Sequence, residues 1–320
     1  MEPLISVVIP MHDEAENAIE TLTAVGTALV ERGWTYELIP VDDGSNDDTG
    51  AILKVAGAAD HCIRPISYRV NRGRGYALRQ GFERARGEIV ASIDADLSYT
   101  VDHLVRMVDT LLGDPEADIV LASPYMPGGA VEGVPFARLA FSRVGNAVLR
   151  QALPERVYTS TGIVRAYRRD AVRALNLASD GKEIHLEILS EAMALGYRIV
   201  EMPATLRARK KGRSKFRPKA TVASHLFFSV LARPATLFGV FGILLLLAAV
   251  AVGSFLLGVF LSGDLNPERP LMTLMVLLLL GGAGALGFAI LASQLLELRR
   301  SITRLQAEVL RLRGSNEGIP

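Results

Sequence analysis

The sequence predicts an α/β fold: a mostly parallel sheet flanked by helices, followed by two membrane-crossing helices and a short C-terminal helix. Three observations carry this. Short β-rich runs alternate with stretches of helical spacing through the first 125 residues. Polar residues collect where the apolar runs end, and in open α/β sheets that is where ligands bind. Two long segments near the C-terminus contain no charged residue.

The β-rich runs are "LISVVIP", "YELIPVDD", "CIRPISY", "EIVASID" and "ADIVLAS". Gly33, Gly87 and Gly113 fall where three of the intervening helices should stop, since glycine accepts the left-handed backbone of a helix C-terminus. From residue 126 to 160 the pattern weakens. There Pro127, Gly128, Gly129, Gly133 and Pro135 predict a loop before a short helix around "FSRVGNAVLR". Residues 157 to 206 resume with a strand, a helix in "KEIHLEILSEAMALG" and a strand in "YRIVEMPA".

Segments 234–263 and 270–296 each exceed the roughly 20 residues that cross a bilayer. Neither has the polar face of a surface helix. The predicted organisation is a globular domain with a basic juxtamembrane segment over 1–219, an interfacial helix over 220–233, two spans within 234–296 and a tail over 297–320. "MEPLISVVIPMHDE" lacks the basic n-region of a signal peptide. Basic residues crowd "RARKKGRSKFRPK" before the first span and recur as Arg299, Arg300 and Arg304 after the second, whereas "DLNPE" between them has none. The positive-inside rule therefore predicts that both termini face the cytoplasm.

In the tail, Leu298, Ile302, Leu305, Val309 and Leu312 alternate spacings of four and three. This heptad seam within 295–314 suits a short coiled coil joining protomers; it also suits a helix resting on the domain or on lipid. The 320-residue chain is 50% hydrophobic with a formal net charge of +1, which argues against a nucleic-acid binder with a broad basic face. Its single cysteine, Cys62, excludes an internal disulfide.

The chemistry points to "EIVASIDADLSYT", where an apolar strand runs into Asp94 and Asp96. Two carboxylates at a strand end repel unless a cation compensates them, and hard oxygen ligands suit Mg²⁺ or Mn²⁺. A second acidic cluster, "VDDGSNDDT", ends another strand. Asn46 or Asp47 is placed to cap the following helix, whereas Asp42 and Asp43 come too early and suit a ribose or base. The first strand ends in "VIPMHDEAEN", bringing Pro10, His12 and Glu14 toward the same crevice. The glycines of "NRGRGYALRQGF" allow close backbone approach to a ligand, but the third glycine of a dinucleotide fingerprint would fall at Leu78. No P-loop, H-E-x-x-H or G-x-S-x-G pattern occurs.

Taken in order, "VVIPMHDEAEN", "VDDGSNDDT", "NRGRGYAL", "DADLS", "SRVGN", "TSTGIVRAYRRD", "HLEIL" and "EMPATLRARKKGRSKF" resemble the family 2 glycosyltransferases of the Rossmann-like GT-A fold. Within them the polyprenyl-phosphate glycosyltransferases, exemplified by dolichol-phosphate mannose synthase, are the nearer likeness. The resemblance implies inverting sugar transfer from a nucleotide sugar of GDP-mannose or UDP-hexose type to a polyprenyl phosphate, at a prokaryotic plasma membrane or the ER membrane. It implies that Pro10, His12, Glu14, Val41 and Asp43 surround the nucleoside. Asp94, Ala95 and Asp96 would meet the diphosphate and its Mg²⁺ or Mn²⁺, with Ser98 at a further metal-ligand position. Arg209 and Lys215 would reach the diphosphate, and Arg143 and Arg165 the acceptor phosphate. Two departures stand out: His12 replaces a usual Tyr, and Pro124 in "SPY" replaces a usual Arg. The rival readings are a processive polysaccharide synthase, whose Q-x-x-R-W motif is absent, and a non-catalytic membrane scaffold.

Overall fold

The computed structural model describes residues 2–133, 157–208, 234–263 and 270–316. By contacts the chain divides into two compact units, Met1–His225 and Leu226–Pro320. The first unit is built on a seven-stranded sheet. Its strands are β1 (Ile5–Met11), β2 (Tyr36–Asp43), β3 (Ile66–Tyr68), β4 (Ile89–Ser92), β5 (Ile119–Ser123), β7 (Arg165–Arg168) and β8 (Ile199–Pro203). They lie in the order β3-β2-β1-β4-β7-β5-β8. β7 runs antiparallel to both neighbours, and the other pairs are parallel. A short parallel pair joins β6 (Ala130–Glu132) to β9 (Thr205–Arg207).

Helices α1 (Ala15–Glu31), α2 (Thr49–Ala59), α3 (Arg74–Arg84), α4 (Val101–Gly113) and α6 (Ile184–Ala194) fall where sequence periodicity predicts them, and a short α5 (Arg169–Ala174) that it does not predict follows β7. The core is aliphatic. Ile5, Val7, Val8 and Ile9 of β1 are fully buried, as the central strand of a sheet covered on both faces requires. Of the three predicted helix-stop glycines, Gly33 follows α1 with φ +70°. Gly87 does another job: it lies beyond α3, where a Cβ would come within 2.6 Å of the Ser6 backbone nitrogen. Gly113 is the last residue of α4 and is not left-handed.

The five strands predicted before residue 125 and the two predicted within 157–206 are present, and what was not legible is the place of β7 in the sheet. β7 enters between β4 and β5 from far along the chain. Its sequence, "RAYR", carries no apolar alternation. The predicted helix around "FSRVGNAVLR" and the interfacial helix at 220–233 lie outside the described residues.

The second unit contains α7 (Pro234–Leu261) and α8 (Pro270–Asn316). Leu237–Leu261 and Pro270–Leu295 are long and apolar enough to cross a membrane. The two helices approach through glycines, which lets their backbones come close. A Cβ on Gly242 would lie 2.9 Å from the Gly282 carbonyl oxygen, and one on Gly282 would lie 2.7 Å from Leu246 Cγ. The short C-terminal helix predicted from the heptad seam is not a separate element. α8 runs 47 residues unbroken, because no proline lies between Pro270 and its end and the tail is rich in helix-forming Leu, Arg and Glu.

At the amino end of the sheet, Glu37 is buried on β2 with 1% exposure. It accepts hydrogen bonds from Ser6 Oγ at 2.6 Å, Arg86 N at 2.8 Å, Arg64 Nη1 at 2.5 Å and Arg86 Nε at 3.0 Å. Burial alone would push this carboxyl up, but the bonds from Ser6, Arg64 and Arg86 outweigh it and hold its pKa below the ordinary value. Because the folded pKa is depressed, the stabilisation is present above the unfolded value and is lost as pH falls through the folded one. Glu37→Ala removes the acceptor shared by Ser6 Oγ and the Arg86 backbone N–H, while the exposed Arg64 and Arg86 side chains can return to water, and should cost about 1–3 kcal/mol. Thermal melts in detergent should show this deficit at pH 7 and show it shrinking toward pH 3.

Candidate active site

The carboxyl ends of β2, β1 and β4 lie side by side at one edge of the sheet, where ligands of open α/β sheets bind, and carboxylates bonded to backbone N–H groups knit the loops there. Asp13 N donates to Ser45 Oγ at 2.9 Å, and Asp13 Oδ1 accepts from Asn46 N at 2.7 Å. Asp47 accepts from Ala15 N at 3.2 Å and from Thr49 N at 3.0 Å. Asp47 thus bonds the first residue of α2, but the N-cap position is held by Asp48, so neither Asn46 nor Asp47 is the cap that the sequence predicts. Glu14 N donates to Thr49 Oγ1, and Glu14 Oε2 accepts from Asn17 Nδ2. The loops after β1 and β2 are thereby locked to each other.

Asp43 looks like a nucleoside acceptor in the sequence, yet here it is 4% exposed. Its carboxylate accepts from Arg72 N at 2.8 Å and from Gly73 N at 2.9 and 3.2 Å. A carboxylate has about four acceptor positions, so most of its capacity holds the loop before α3. Asp42 Oδ1 accepts from Ser45 N in the same way. Val41, expected beside the nucleoside, has no exposed surface and belongs to the core. Pro10, His12 and Glu14 are half-buried at the carboxyl end of β1, with His12 Nε2 3.4 Å from Asp13 Oδ2.

The Asp94–Asp96 segment is shaped from three sides. Thr21 Oγ1 of α1 donates to the Ala95 carbonyl at 2.6 Å. Ser98 donates both its N–H, at 3.0 Å, and its hydroxyl, at 2.6 Å, to Asp96 Oδ1. Ser98, expected as a further metal ligand, thus orients Asp96 in this structure. Leu97 between them takes a left-handed φ of +48°, uncommon for a residue with a side chain and a sign that the segment is held. Tyr99, 4% exposed, has its phenol pKa pushed up by burial and then by the Asp94 charge, so it remains a neutral neighbour.

Sequence reasoning missed Arg74. Its Nη2 lies 3.1 Å from Asp94 Oδ1. The signal was present: Arg74 is the first residue of α3, and a cation there opposes the helix dipole unless an anion faces it. Gly73 before it takes φ 100°, and a Cβ at that position would lie 2.5 Å from the Asp180 carbonyl oxygen. Asp180 O in turn accepts from Gly75 N at 2.7 Å.

Arg165 does not serve as a ligand for an acceptor phosphate in this structure. It is 1% exposed, and its guanidinium donates to the carbonyls of Gly162, His185 and Ser160 at 2.8 to 2.9 Å. It is a buried cation that clamps the loop before β7 to α6, and burial pushes its pKa down. Arg143, Arg209 and Lys215 lie outside the described residues.

Two hard carboxylates at a strand end, one oriented by a hydroxyl and the other facing a guanidinium, fit a divalent ion of Mg²⁺ or Mn²⁺ type. Among the described residues Asp60, His61 and Cys62 also gather ligand atoms within 4.8 Å of one another. That group sits at the opposite end of the sheet, just before the bridge between Leu38 and Ile63.

A mostly parallel sheet that collects carboxylates and an arginine at its carboxyl edge is the architecture of a nucleotide-binding α/β enzyme. The chain belongs to glycosyl transferase family 2, whose profile matches residues 6–175. It is 32% identical over 216 residues to a polyprenol monophosphomannose synthase of Mycolicibacterium smegmatis, covering 65% of this chain and 79% of the relative. It is 27% identical over 296 residues to an undecaprenyl-phosphate 4-deoxy-4-formamido-L-arabinose transferase of Sodalis glossinidius, covering 90% of this chain and 86% of that one. The fold is shared with glucosyl-3-phosphoglycerate synthase of Mycobacterium tuberculosis, at TM-score 0.52 and 22% identity over 72% of this chain and 78% of that one.

β9 is bound to this site from the side. Arg207 N donates to the Ser98 carbonyl at 2.8 Å, and Thr205 N donates to His103 Nε2 at 2.9 Å. His103 Nε2 is therefore an acceptor, and Nδ1 carries the proton toward Thr100 at 2.7 Å. Burial, opposed by the Thr100 bond, holds the pKa of His103 below its usual value. Protonation would set two donors face to face. The stabilisation is thus complete above the ordinary histidine pKa and is lost as pH falls through the lower folded value. Melting temperature should fall as pH drops below about 6.5 in the wild type, and His103→Gln should flatten that drop.

Proposed function

We propose that the chain transfers a sugar from a nucleotide diphosphate sugar, of GDP-mannose or UDP-hexose type, to the phosphate of a membrane polyprenol. The observation that carries this reading is the Asp94–Asp96 pair at the end of β4, with Arg74 facing Asp94 at 3.1 Å. Family membership and the names of its relatives, which include transferases to polyprenol and undecaprenyl phosphate, support the same conclusion. A solved structure sharing the fold holds Mn²⁺ with uridine diphosphate.

Asp94 and Asp96 would hold a divalent ion beside the donor's diphosphate, with Ser98 fixing the direction of Asp96. That ion, Mg²⁺ or Mn²⁺, supplies Lewis-acid stabilisation of charge on the departing nucleoside diphosphate. Arg74, together with Arg209 and Lys215 of the basic segment, adds positive charge to the same leaving group. Pro10, His12 and Glu14 flank the nucleoside. Asp43 acts one step back by shaping the loop that carries Arg74.

The acceptor phosphate, with a second pKa near about 6, is already nucleophilic at neutral pH. One of its oxygens forms a bond to the anomeric carbon from the side opposite the leaving group. The bond to the diphosphate breaks with its electron pair, which inverts the configuration. No side chain needs to remove a proton. What the enzyme must do is tolerate two anionic substrates, and the basic segment, with Arg143, suits that task beside an anionic membrane surface.

α7 and α8 anchor the site to the bilayer, with the globular unit and both termini on the cytoplasmic side, as the basic flanks of the spans indicate. The heptad seam on the distal part of α8 suits a homo-oligomer. The domain boundaries follow the sequence: 1–219 for catalysis, 220–233 at the interface, 234–296 in the membrane and 297–320 as the tail.

The test is incubation of purified protein with nucleotide sugars, polyprenyl phosphate and Mn²⁺, followed by mass analysis of the lipid. A polyprenyl-phosphate sugar should form. Asp96→Ala should reduce its formation at least about 100-fold, in the range of losing an electrostatic contact to the leaving group, with the melting temperature unchanged. Full activity in Asp96→Ala, or in EDTA, would contradict the site assignment.

A further inference from the structure

Asp94, one of the two carboxylates assigned to the metal, is engaged by a cation. Arg74 Nη2 is 3.1 Å from Asp94 Oδ1. A divalent ion bonded to that oxygen at about 2.1 Å would compete for the same lone pairs and be repelled by the guanidinium beside it. The surrounding backbone is fixed: Gly73 N is bonded to Asp43, and Gly75 N to the Asp180 carbonyl. The Arg74 side chain is 38% exposed, so it can leave Asp94 by its own torsions while α3 stays in place. The neighbouring cations are committed elsewhere, since Arg79 and Arg72 turn to Asp180 and Arg72 stacks on Tyr76.

We propose that Arg74 is a resident counter-ion that competes with the divalent ion for Asp94 and releases it when a diphosphate enters, so that metal and nucleotide bind as a coupled pair. The proposal rests on Asp94 and Asp96 being the metal site. Its physical content is reciprocal linkage: a diphosphate that draws Arg74 away strengthens metal binding, and the metal strengthens nucleotide binding by the same factor. A positioning residue of this kind does more than bind the donor, because it also weakens the metal site when the donor is absent.

The test is titration of the detergent-solubilised full chain with Mn²⁺, following free Mn²⁺ by electron paramagnetic resonance, alone and with GDP or UDP. In the wild type, whichever nucleotide binds should tighten Mn²⁺ binding at least about fivefold. Arg74→Gln should bind Mn²⁺ alone at least about threefold more tightly than wild type and gain less from nucleotide, so the coupling factor falls. Arg74→Lys, which keeps the charge, should stay closer to wild type than Arg74→Gln. If Arg74→Gln binds Mn²⁺ alone no better than wild type while Asp94→Ala weakens binding, the competition is overturned and the metal site stands. If Asp94→Ala leaves Mn²⁺ binding intact, the metal reading fails and the proposal fails with it.

Discussion

The fold places Asp94 and Asp96 where neither can be left uncompensated, and this constraint organises the site around them. Two unit charges about 4 Å apart interact by about 1 kcal/mol in bulk water and about 4 kcal/mol near a protein surface. A chain that keeps two carboxylates at the end of a central strand must therefore supply positive charge there. Arg74 does so from the start of α3, and Ser98 spends both of its donors on Asp96. The rest of the rim serves those positions. Asp43 holds the loop that carries Arg74, Thr21 holds Ala95, and His103 with Ser98 holds β9 against the same segment.

The same residue types do different work at the two ends of the sheet. At the amino end, Glu37 is satisfied by Ser6, Arg64 and Arg86 and contributes stability. At the carboxyl end, Asp94 and Arg74 face each other with side chains 20% and 38% exposed. A buried, fully bonded carboxylate is a structural element, whereas one at the rim with a solvent-reaching arginine suits an exchangeable cation. Arg165 illustrates the first condition: its guanidinium is enclosed by three carbonyls, so its charge stabilises the loop before β7.

Much of this was legible in the sequence. The strands from β1 to β5 announce themselves as apolar runs that end in polar clusters, and the order of motifs identified the nucleotide-sugar class. The illegible parts share one cause, the choice among partners that only tertiary structure makes. Asp43 and Val41 sit at the carboxyl end of β2, yet one faces backbone amides and the other the core. Arg165 belongs to a strand inserted from far along the chain, and nothing local distinguishes it from a ligand. Arg74 was hidden among glycines that drew attention to themselves. In the C-terminal unit, apolar length was readable, whereas the continuity of α8 through the basic tail depended on the absence of proline rather than on a positive signal.

The central claim is that a divalent ion and the donor's diphosphate meet at the end of β4. A structure of the protein with Mn²⁺ and a nucleoside diphosphate, its anomalous signal recorded at the manganese edge, tests this directly. The account predicts one peak bonded to Asp94 and Asp96, with the diphosphate against it. A peak at Asp60, His61 and Cys62 instead, or a diphosphate remote from residues 94–96, would contradict it.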